Sequence, residues 1–189
     1  MRIAAQRFVV ALVTAALGVA GAVTPAHAED GGPLYKLVDT AVQRLQTADP
    51  VSASKWVNGG SIEDSARANQ VLEAVAADAN KRGLDESFVR RAFENQIHAT
   101  EGVEYTRFAQ WKFDPAHAPK SAPDLTRSRA AIDEFNREMV AEMAAQRGVL
   151  MSGDCARTLT SARAAVTAAR SLDPLYQQAL GAATASYCP

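Results

Sequence analysis

The sequence predicts an all-α protein with one domain of about six helices, on three observations. Apolar residues recur at helical spacing almost throughout, glycine and proline mark the breaks between those runs, and no stretch alternates β-branched and polar residues as a strand would. The chain opens on a segment that stands outside this pattern. Arg2 and Arg7 precede an uncharged apolar run from Phe8 to about Val23, and Ala26-His27-Ala28 forms a small-x-small cleavage site. Residues 1–28 therefore read as an export signal, with the mature domain at 29–189. The run is shorter than the roughly 20 residues a membrane-spanning helix needs, and no later stretch approaches that length. The expected product is a secreted protein, in the periplasmic or cell-wall space or beyond it, with no membrane attachment once the signal is cleaved.

The helices follow in order. Leu34, Leu37, Val38, Ala41, Val42 and Leu45 make the first amphipathic stripe. It stops at Asp49-Pro50, which reads as the N-cap and first-turn proline of a short second helix ending before Gly59-Gly60. A third runs from about Asp64 to Lys81 and is closed by Gly83. Asp85 caps a long fourth helix on which Phe88, Ala92, Phe93, Gln96, Ile97, Thr100, Val103, Glu104, Phe108 and Trp111 keep helical spacing up to Asp114-Pro115. Three prolines between Pro115 and Pro123 make a loop. Asp124 opens another long helix with Leu125, Ile132, Phe135, Met139, Val140 and Met143 on its buried side, fading near Gly148 to Gly153. Asp154 and Asp173-Pro174 start two shorter closing helices.

Bulk composition narrows the function. The 161 residues left after the signal suit one domain with a core large enough to be stable. Without Arg2 and Arg7 they carry 18 basic against 21 acidic side chains, a net charge of −3 that argues against nucleic acid as a partner. Cys155 and Cys188, an even count in an oxidising compartment, read as one disulfide tying the last two helices together. His98 and His117 are isolated and read as structural. There is no glycine-rich phosphate loop, no His beside a Ser or Cys nucleophile and no cluster with metal-ligand spacing.

What remains are charges on apolar stripes, where an ordinary helix avoids them. Arg44 is seven residues after Leu37, Arg67 four before Val71, and Arg129 four after Leu125 and three before Ile132, so all three should point inward. Glu101 is four after Ile97, Glu104 four after Thr100 and four before Phe108, and Lys55 four after Val51. One cavity to which five helices each contribute a polar group accounts for every exception. Arg44, Lys55, Arg67 and Arg129 set against Glu101 and Glu104 would make that cavity receptive to an anion. A structural reading with buried Arg–Glu pairs would leave cations over.

These residues also form a spaced pattern: Arg44-Leu45, Asp49-Pro50, Lys55-Trp56, Ile62-Glu63-Asp64-Ser65-x-Arg67, Gln96-Ile97-x-Ala99-Thr100-Glu101, Glu104-Tyr105-x-Arg107-Phe108, and Asp124-Leu125-x-x-Ser128-Arg129, followed by the two cysteines. In this the sequence resembles the secreted subclass of the all-helical chorismate mutases over nearly the whole mature chain. The resemblance implies a chorismate mutase fold and an isomerase that converts chorismate, a dianion, to prephenate by a Claisen-type shift. That is a step of aromatic amino acid biosynthesis needing no covalent intermediate and no cofactor. It implies that Arg44, Arg67 and Arg129 clamp the two carboxylates and that Lys55 and Glu104 meet the ether oxygen. Thr100 and Glu101 would face the hydroxyl and ring side, and Asp64 would line the turn before Arg67. It implies a homodimer as well. The chain departs from the pattern at Val71, where relatives can carry a glutamine, while Gln70 lies about 100° round the helix. The rival expectation is an exported, non-catalytic helical module that binds a small dicarboxylate or a protein partner.

Overall fold

The computed structural model describes residues 31–189, so the export signal at 1–28 and the mature start at Glu29 lie outside the described residues. Within them the chain is α-helical: α1 (Tyr35–Gln46), α2 (Ala48–Asn58), α3 (Ser65–Lys81), α4 (Glu86–Phe113), α5 (Leu125–Ala145), α6 (Arg147–Leu150), α7 (Cys155–Ala169) and α8 (Pro174–Ala183). The helix that the sequence does not separate is α6, a single turn into which the fading end of α5 tightens. No helix among the described residues is long and apolar enough to cross a membrane.

Capping chemistry explains most of the boundaries. Asp64, Asp85, Asp124 and Asp173 each accept a hydrogen bond from a backbone N–H in the first turn that follows, satisfying donors the helix cannot. Gly59 (φ +76°) and Gly83 (φ +68°) end α2 and α3 in the left-handed region, where a Cβ would be strained. Two expected starts differ. α2 begins at Ala48, with Asp49 and Pro50 already inside its first turn. The Asp49 carboxylate is drawn away from the backbone by Arg107, whose Nε donates to it at 2.6 Å. Asp154 precedes α7 but makes no side-chain cap, its carboxylate taking a hydrogen bond from Arg157 instead.

The 28-residue α4 is the spine, roughly 40 Å long at 1.5 Å per residue. It packs against α2, α3 and α8, while α1 packs against α5, α7 and α8. The stripe read on α1 is fully buried from Leu34 to Leu45, against Phe93 of α4 and Met139 and Met143 of α5 in the same core. Towards its C-terminal end α4 leaves that core, and Phe108 and Trp111 are half-buried rather than buried. They pack edge-on against Trp56 of α2, with ring centroids 5.2 and 5.6 Å away.

Cys155, at the start of α7, is bonded to Cys188, beyond α8, with Cα atoms 5.6 Å apart. The bridge closes a loop over a sequence separation of 33 residues. On the chain-entropy account its removal costs about 2–4 kcal/mol. Reduction, or the Cys155→Ser/Cys188→Ser pair, is therefore expected to lower Tm by about 5–15 °C in a thermal melt, given a domain of this size. An unchanged Tm would contradict the assignment of a stabilising role.

Candidate active site

A cavity opens where α1 to α5 meet. The apolar part of its wall is Val51, Ile62, Ala68, Val71, Ile97, Leu125 and Ile132. Into it project Arg44 from α1, Lys55 from α2, Asp64 and Arg67 from the start of α3, Thr100, Glu101 and Glu104 from α4, and Arg129 from α5. With Val71, all nine residues singled out in the sequence line this one space.

Depth sorts them. Arg44 and Glu104 are buried at 4% and 3% exposure. The Lys55 side chain is nearly as enclosed, whereas Arg129 is 43% exposed and forms the rim, less inward than its stripe suggested. Lys55 Nζ donates to Glu104 Oε2 at 2.8 Å and to the Ile62 carbonyl at 2.6 Å, so its ammonium is held between α4 and the loop that joins α2 to α3. Arg129 Nη2 donates to Asp64 Oδ2 at 2.9 Å, while Asp64 Oδ1 caps α3 through the Arg67 N–H. Arg67 is paired with Asp133. Arg44 donates from Nε to Asn136 Oδ1 at 2.7 Å and from Nη1 to Thr100 Oγ1 at 3.3 Å. Thr100 in turn donates to the Gln96 carbonyl at 2.7 Å, a turn back along α4.

The protonation states follow from this burial. Loss of water pushes the Glu104 carboxyl above its ordinary range, against the opposing pull of the Lys55 ammonium. Burial raises Glu101 as well. Arg44 is pulled down by burial to about 10 and stays cationic at neutral pH. Four cations face three carboxylates in the wall, because Asp64 joins the two glutamates counted from sequence, and Asp133 offsets Arg67 from behind. The positive surplus is thus narrower than the sequence suggested, and it rests on Arg44 and on whether Glu104 carries its proton.

Sequence reasoning missed Asn136, Asp133 and the Ile62 carbonyl. Asn136 had a signal: it lies four residues after Ile132 and three before Met139, a polar group on the buried stripe. Asp133 had only its place one turn after Arg129, and a backbone carbonyl has none. Val71 is 4% exposed in the cavity wall, while Gln70 is exposed and borders a separate cavity between α3 and α5. No amide from α3 therefore reaches the site.

The arrangement can bind a small anion with several carboxylate or oxygen groups and place a buried acid beside an ammonium. Comparison with known proteins gives this chemistry its family. Residues 35–105 match the model of chorismate mutase type II. The chain is 55% identical over 171 residues to a secreted chorismate mutase of Mycolicibacterium smegmatis, covering 90% of this chain and 94% of that one. The chain belongs to the chorismate mutase family. It is also 44% identical over 163 residues to a secreted chorismate mutase of Mycobacterium tuberculosis, covering 86% and 82% of the two chains. Among solved structures, a chorismate mutase from Burkholderia phymatum superposes with a TM-score of 0.79 at 28% identity, over 87% of this chain and 99% of the other. A chorismate mutase is an isomerase.

Proposed function

We propose that this cavity binds chorismate and converts it to prephenate with the residues named above, and that the observation carrying this reading is the buried Lys55–Glu104 contact at 2.8 Å inside a cation-lined cavity. The rearrangement breaks one C–O bond and forms one C–C bond within a single molecule, so no co-reactant is needed for atoms or electrons to balance. Acceleration then comes from holding the reactive conformer and from stabilising charge that develops on the ether oxygen. Lys55 supplies a positive charge to that oxygen, and a protonated Glu104 donates a hydrogen bond to it. The substrate's own carboxylates favour that proton, since nearby negative charge disfavours a second carboxylate.

Arg44, Arg67 and Arg129 take the substrate carboxylates, guanidinium forks being suited to planar anions. Arg129 must exchange Asp64 for substrate, which suits its place on the rim. Thr100 and Glu101 flank the hydroxyl and ring. The export signal read at 1–28, together with the two secreted relatives, supports secretion of the mature domain. A homodimer and a place in aromatic amino acid synthesis belong to the same reading.

Loss of chorismate ultraviolet absorbance on adding purified protein tests the reading. Arg129→Ala is expected to lower kcat/KM by about 10–100-fold, the loss of one partly exposed charge-assisted contact. A protein that binds chorismate without consuming it would instead favour the non-catalytic module.

A further inference from the structure

We propose that Asn136 is a positioning residue whose neutral amide aims the Arg44 guanidinium into the cavity while leaving its charge uncompensated for a substrate carboxylate. This rests on the reading of Arg44 as a substrate-binding cation. Asn136 is 5% exposed on α5 and lies behind the cavity rather than in its wall. It borders the neighbouring cavity between α3 and α5 together with Arg67 and Asp133. From there its Oδ1 accepts from Arg44 Nε at 2.7 Å, which fixes the plane of the guanidinium.

The choice of an amide is what carries the inference. Lys55, Arg67 and Arg129 each have a carboxylate partner, Glu104, Asp133 and Asp64. Arg44 is the most buried of the four, where an unpaired charge is hardest to accommodate. Yet among the described residues it has no carboxylate within ion-pair distance, and its side-chain acceptors are the Asn136 amide and the Thr100 hydroxyl. Of the acidic groups that act on it, Tyr187 is held protonated by burial, and Asp133 is engaged by Arg67. An aspartate at 136 would have almost the same shape and would accept the same hydrogen bond. It would also complete an ion pair in the empty site, so an incoming carboxylate would meet a neutralised guanidinium. A neutral acceptor gives orientation without that cost in affinity.

The test is steady-state chorismate kinetics, with thermal melts, on wild type, Asn136→Asp, Asn136→Ala and Arg44→Ala. Asn136→Asp keeps the aim and cancels the charge, so KM is expected to rise by about 10-fold or more with kcat within about threefold, the pattern of lost uniform binding. Asn136→Ala keeps the charge and loses the aim, so kcat/KM is expected to fall by about 10-fold. A KM for Asn136→Asp within twofold of wild type would overturn the proposal. If that variant does not fold, Asn136→Ala decides it, and a kcat/KM within twofold of wild type overturns it. Wild-type behaviour of the Asn136 variants beside an impaired Arg44→Ala removes this inference alone, whereas a wild-type Arg44→Ala removes the underlying reading with it.

Discussion

Lys55→Ala is expected to lower kcat by about 10²–10³-fold, the range for removing one preorganised group aimed at developing charge. Among the described residues the ammonium is the one cation in direct contact with Glu104, and its place is fixed by the Ile62 carbonyl as well. Truncation removes the charge facing the ether oxygen and leaves the buried Glu104 without its cation. That drives the Glu104 carboxyl still further upward, because the Lys55 contact is what opposes burial there. The fold should persist, since the side chain sits in a water-accessible cavity and not in the core around Phe93 and Met139. A kcat within threefold of wild type in a folded variant would contradict the role.

Arg44→Ala is expected to be as damaging to kcat/KM, by about 10²–10³-fold, and to lower stability by about 1–3 kcal/mol as measured by denaturant unfolding. Asn136 loses the donor to its Oδ1, and a well-enclosed space is left between α1, α4 and α5. Removing a buried cation also relieves its desolvation, which keeps the stability loss below that of a broken buried ion pair. Arg44→Lys should recover part of the binding and little of the geometry, because a single ammonium cannot reproduce the fork that spans Asn136 and Thr100. Urea midpoints and kinetics on the three proteins check both parts.

The fold was legible because its determinants are local. Apolar residues at helical spacing placed α1 and α4 directly, and aspartates ahead of α3, α4, α5 and α8 marked starts that depend only on the next three residues. Where another side chain claimed the carboxylate, legibility ended: Arg107 of α4, distant in sequence, takes Asp49 from the start of α2, and Arg157, one turn along, takes Asp154. The cavity residues were legible for a different reason, since a charge on an apolar stripe has few places to go. What they do with one another was not. Pairing of Arg129 with Asp64 and of Arg67 with Asp133 depends on helix packing across some 65 residues of sequence, which no spacing rule encodes.

The protonation of Glu104 is the point on which the mechanism turns. Burial raises its pKa, so the donor form is present at low pH and is lost as pH rises through that raised value; the stability it contributes is lost over the same interval. Glu101 is raised too, but it is less enclosed and does not contact Lys55. A glutamine at 104 keeps a donor at every pH while still accepting from Lys55. The most direct measurement is therefore the pH profile of kcat/KM for wild type and Glu104→Gln side by side. Wild-type activity is expected to fall with rising pH while that of Glu104→Gln stays flat; two parallel falling profiles would contradict a protonated Glu104 as the hydrogen-bond donor.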